Sequence, residues 1–93
     1  RPKIKISFPL ENTEYDKNHR INVITSTTSK FPVSKVILYL NNELVDMTDK
    51  QPFNLNLIPS STNSFVLGMN ELKVVVYDSV YNKNESAITI KVR

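Results

Sequence analysis

Ninety-three residues with 40% hydrophobic and 23% charged side chains suit one hydrophobic core, and they exclude both a second domain and a disordered tract. There is no cysteine and one histidine, His19, so disulfides, thiolate metal sites and cysteine nucleophiles are excluded and a histidine-paired nucleophile would depend on that residue. The net charge of +3 comes from lysines and arginines scattered along the chain, which form no phosphate-gripping stripe, so nucleic acid is not an expected partner. The longest apolar runs are about five residues, against roughly 20 for a membrane helix, so no direct membrane insertion is expected either. Beginning at Arg1 with no signal-peptide pattern, the chain reads as one domain over residues 1–93, excised from a larger protein.

Apolar residues nowhere recur at helical spacing over three turns, whereas alternation with period two runs from end to end. Ile4, Ile6 and Phe8 alternate with Lys3, Lys5 and Ser7, giving a first strand with one dry and one wet face. Pro9 to Asn18 reads as loop. Ile21 and Val23 open the next strand, and Ser26 to Pro32 reads as its exit. Lys35 to Leu40 is apolar on both faces, as expected of a strand inside a sheet. After the Asn41-Asn42 turn signal come weaker strands at Leu44 to Met47 and Phe53 to Leu57, with Asp49 to Pro52 between them.

Pro59 to Asn70 reads as a long connection. Leu72 to Asp78 is the second strand apolar on both faces, Asp78 to Asn84 is a turn, and Ile88, Ile90 and Val92 face inward from the last strand. All five prolines fall at strand ends or in connections, where a missing N–H breaks no ladder. With one glycine, Gly68, and eleven asparagines, positive-φ positions fall to asparagine, with Asn12 and Asn82 as candidates. The expected fold is all-β, about seven strands in a sandwich of two antiparallel sheets.

Several stretches then resemble bacterial immunoglobulin-like modules, the tandem β-sandwich domains of secreted and cell-surface proteins. Pro2, Ile4, Ile6, Phe8 and Pro9 look like the family's opening of proline, alternating strand and proline, and Ile21 to Ser26 is similar to its second strand. Val36-Ile37-Leu38-Tyr39-Leu40-Asn41-Asn42-Glu43-Leu44-Val45 is similar to the family's strand, turn and strand, with two asparagines in place of the usual aspartate and glycine. Pro52-Phe53 looks like the proline-aromatic pair that opens the next strand. Gly68 to Asp78 is similar to the glycine-led loop and long strand ending in aspartate, after which Tyr81 stands where the family commonly has glycine. The resemblance implies an immunoglobulin-like fold and a non-catalytic accessory role in a bacterial extracytoplasmic protein, as spacer or packing partner of neighbouring domains. Such modules accompany polysaccharide- or cell-wall-acting enzymes, peptidases and adhesins.

No cofactor, metal or catalytic residue is expected. His19 reads as a wet loop edge rather than a pocket residue, and the carboxylates Glu43, Asp46, Asp49 and Asp78 read as solvated charge and turn caps before a calcium site. If Val36, Leu38 and Leu40 point inward with Leu72, Val74 and Val76, then Ile37, Tyr39, Val75 and Tyr77 point outward and adjoin, with Ala87 and Thr89 beside them. Such a patch, of about 300 to 400 Å², is the candidate interaction site for carbohydrate or a surface protein. The plainer reading is cross-strand pairing covered by the Lys35 and Lys73 stems. Tyr15, Phe65 and Tyr81 are loop aromatics that could stack on sugars, or, for Phe65, cap the core.

Overall fold

The computed structural model describes all residues from Arg1 to Arg93. Eight strands follow one another: β1 (Lys3–Phe8), β2 (Glu14–Tyr15), β3 (Ile21–Thr28), β4 (Val33–Leu40), β5 (Glu43–Thr48), β6 (Leu55–Leu57), β7 (Gly68–Asp78) and β8 (Lys83–Val92), with a single 3-10 turn over Pro59–Ser61. They form a three-stranded sheet in the order β1-β3-β6 and a five-stranded sheet in the order β2-β8-β7-β4-β5. The expected two-layer, all-β sandwich is the observed one.

The core lies between the layers, and strand alternation builds it. Val36, Leu38 and Leu40 of β4, Leu72, Val74 and Val76 of β7, and Ile90 of β8 have no exposure and meet Ile6, Ile21, Val23, Leu55 and Leu57 from the smaller sheet. Phe53 enters the core from the segment before β6 and Phe65 packs against it from the long connection after the 3-10 turn, as a core cap.

Four expectations need correction. Phe8 is 45% exposed because a register shift between Ile6 and Phe8 moves the ring off the inner face and pairs it with Ile24. The segment Pro9 to Asn18 contains β2, which carries the chain from the small sheet to the large one and pairs with β8 in parallel, so the larger sheet is not wholly antiparallel. Backbone hydrogen bonds on either side of the pair, from the Lys91 amide to the Thr13 carbonyl and from the Arg93 amide to the Tyr15 carbonyl, tie it down. Phe53 does not begin a strand: its φ is 59°, and the ladder to β3 starts at Leu55. Asn12 has the anticipated positive φ, but at the β7–β8 turn Tyr81 takes it (φ 66°) and Asn82 does not.

The turn between β4 and β5 shows why two asparagines replace aspartate-glycine. Asn41 and Asn42 have φ of 48° and 72° between the paired Leu40 and Glu43. A two-residue hairpin with both central residues in the left-handed region follows the natural strand twist, and asparagine tolerates that region.

The chain enters and leaves at opposite ends of a body measuring 39 × 20 × 19 Å. At one end, the N-terminal pole, the Pro2 carbonyl accepts a hydrogen bond from Asn84 Nδ2 at the start of β8 (3.0 Å). At the other, the C-terminal pole, β8 ends in Arg93. The ten residues of β8 thus run from one pole to the other, about 30 Å at strand rise.

Leu38→Ala is expected to cost about 2 to 4 kcal/mol in denaturant titration, because both layers close on Leu38 and the vacated volume cannot collapse. A midpoint unchanged from wild type would show that the inner and outer faces of β4 are reversed.

Candidate functional site

The four outward residues do adjoin, in a block of six set by register. On β4 stand Lys35, Ile37 and Tyr39; opposite them on β7 stand Tyr77, Val75 and Lys73, in that order. A lysine therefore faces a tyrosine at each end, with the Ile37–Val75 pair in the middle. The Lys35 Nζ lies 4.8 Å from the Tyr77 ring centre and the Lys73 Nζ 5.3 Å from that of Tyr39, within the range of cation–π attraction. Ile37 and Val75 are left only 6% and 7% exposed although they point away from the core. Lysine stems cover apolar surface in this way while the ammonium stays in water.

Exposed apolar surface on this face lies instead on β5. Met47 pairs with Ile37 and Leu44 with Tyr39, and each is 54% exposed. Ala87 pairs with Lys73 and Thr89 with Glu71, so they flank the β7 side of the face. Sequence alone could not weigh these contributions, because the lysine-to-tyrosine pairing depends on strand register.

Three of the four acidic candidates, Glu43, Asp46 and Asp78, accept from backbone amides, and Asp49 is exposed. Glu43 accepts from the Asn63 and Ser64 amides, fastening the connection after the 3-10 turn. Asp46 accepts from the Met47 and Asn56 amides and so spans the open side of the sandwich between β5 and β6. A shallow groove of about 200 Å³ opens on that side among Glu43, Val45, Leu57, Ile58 and Thr62, and its one carboxylate is the one already engaged. The carboxylates are thus distributed rather than converged. His19 is exposed and stacks on the partly buried Tyr15, with ring centres 5.5 Å apart; burial pushes the Tyr15 hydroxyl above its ordinary pKa.

Each pole is held by a side-chain knot. At the C-terminal pole the buried Asn70 accepts from Asn41 Nδ2 and the Val66 amide and donates to the Val66 and Gly68 carbonyls. It thereby joins the β4–β5 turn to the approach to β7. At the N-terminal pole Asp78, 2% exposed, accepts from the Val80 and Asn82 amides and from Asn82 Nδ2, while its carbonyl takes the Tyr81 amide. Asn82 is needed as an Asp78 partner, and the left-handed position falls on Tyr81.

Burial alone would raise the Asp78 carboxyl, but hydrogen bonds from the Asn82 side chain and from the Asn82 and Val80 amides outweigh it and hold the group below its ordinary value of 3.8. A carboxyl lowered on folding adds stability above its unfolded pKa and loses it as pH falls through the folded value. Asp78→Asn should therefore melt below wild type at neutral pH, with the gap narrowing below about pH 4. A gap constant from neutral pH to about pH 2 would contradict this.

Comparison with known proteins agrees with this geometry. The fibronectin(III)-like modules of Clostridium thermocellum CbhA share the fold at a TM-score of 0.83 and 24% identity, over 97% of this chain and 94% of theirs. An engineered protein of known crystal structure superposes with a TM-score of 0.69 at 11% identity; the match takes in 100% of this chain and 20% of that one. No curated protein matches. A family model described as bacterial Ig domain matches residues 2–92, nearly the full length, and the chain belongs to that family.

Proposed function

We propose that this bacterial Ig-like module is a non-catalytic axial spacer that packs against and positions neighbouring domains of an extracytoplasmic protein. The observation that carries this reading is the placement of Arg1 and Arg93 at opposite poles of a body 39 Å long, with β8 running between them. A chain threaded in this way adds its whole length to whatever it joins. Force or torque between the ends passes through a ladder in which β8 pairs with β7 from Lys83 to Val92. The lysine-covered outer face supports the same reading, since its central apolar pair is already buried by its own sheet. No helix is long and apolar enough to cross a membrane. Parent proteins that fit are polysaccharide- or cell-wall-acting enzymes, peptidases and adhesins.

Two copies joined directly, Arg93 to Arg1, should give a solution-scattering maximum dimension of about 80 Å, twice that of one module, as expected when each domain keeps its own core and the junction is small. A side-by-side pair barely longer than one module would overturn the axial reading.

A further inference from the structure

Basic residues that look scattered in the sequence gather when the chain folds. Arg1, Lys3, Lys30, Lys35, Lys50 and Lys83, six of the twelve, lie at or beside the N-terminal pole, against Asp49, Asp78 and Glu85 of the nine acids. Asp78 is turned inward on its own turn. The pole therefore carries the whole of the molecule's positive excess of three, and the remainder is neutral.

The same pole displays apolar side chains at its tip. The β7–β8 turn presents Val80, 50% exposed, and Tyr81, 90% exposed, and the β3–β4 loop beside it presents Phe31, 38% exposed. The two loops are strapped together by the Ser79 amide on the Pro32 carbonyl (2.8 Å) and by Ser34 Oγ on the Asp78 carbonyl (3.1 Å). Lys30 Nζ stands 5.7 Å from the Phe31 ring centre. Tyr81 holds a left-handed backbone that disfavours a bulky side chain, while its ring gains no packing in return.

We infer that the N-terminal pole docks on the surface of an anionic phospholipid bilayer, with Val80, Tyr81 and Phe31 at headgroup depth and the surrounding lysines on the lipid phosphates. Both halves of the surface are used by this partner. Lysine and arginine near an anionic leaflet are attracted to it electrostatically, and aromatic rings settle where headgroups meet acyl chains. A soluble polyanion would engage the cations and leave the three apolar side chains in water. An untethered protein partner would have a tip only about 20 Å across to hold, whereas a bilayer surface receives such a tip without shape complementarity. The contact is peripheral and spans nothing.

The test is co-sedimentation of the 93-residue protein with vesicles of phosphatidylcholine alone and of phosphatidylcholine with phosphatidylglycerol. Wild type should partition onto the anionic vesicles at low salt, stay in solution with the neutral ones, and be released at about 0.5 M salt. Val80→Ser combined with Tyr81→Gly should lower partitioning about tenfold. Its melting temperature should not fall, because glycine is at ease at this φ. Absence of binding to anionic vesicles at low salt would overturn the inference, as would binding that the double variant leaves intact and soluble polyphosphate displaces, the mark of a charge-only polyanion site. Retention on an insoluble polysaccharide without vesicle binding would overturn it in favour of sugar stacking. None of these outcomes bears on the end-to-end dimension of joined modules, so the spacer reading stands or falls separately.

Discussion

Contact between the inner rows of β4 and β7 and the facing residues of β3 and β6 is the interaction on which the rest of the molecule depends. With no disulfide and one glycine, the chain has packing and turn chemistry as its means of cohesion. The six fully buried residues of β4 and β7 fix which side of each strand faces in. Because strand side chains alternate, that choice also fixes what the outer face shows. The Lys35–Tyr77 and Lys73–Tyr39 pairings follow from the register in which the inner residues meet.

The two poles are closed by different means to the same end. Asn70 and Asn41 satisfy the backbone of the C-terminal loops, and Asp78 with Asn82 satisfies that of the N-terminal turn. Both knots use short side chains that can meet several backbone groups at once, which a tight turn with little glycine requires. A buried polar group in such a knot would be costly if any partner were lost. The rigid ends that result keep the long axis fixed relative to the core and hold Val80 and Tyr81 out at the tip.

Much of this was legible in the sequence and some was not. Period-two alternation located the strands that build the core and assigned Ile37, Tyr39, Val75 and Tyr77 to the outward face, and the strand–Asn–Asn–strand segment pointed to the hairpin observed. Phe8 escaped because one shifted residue moves a side chain to the other face, and pattern counting does not see such shifts. Tyr81 escaped because propensity favours asparagine in the left-handed region, whereas Asp78 had already engaged Asn82. The shielding of Ile37 and the gathering of lysines at one pole depend on which strand lies beside which, something local sequence does not carry.

The most direct measurement is single-molecule extension through Arg1 and Arg93. If β8 joins the two poles and is loaded along its length, its ladder to β7 must fail as a unit, and the record should show one rupture releasing about 300 Å of chain. Stepwise lengthening at low force, with β8 peeling away one pair at a time, would contradict a module built to bear load along its axis.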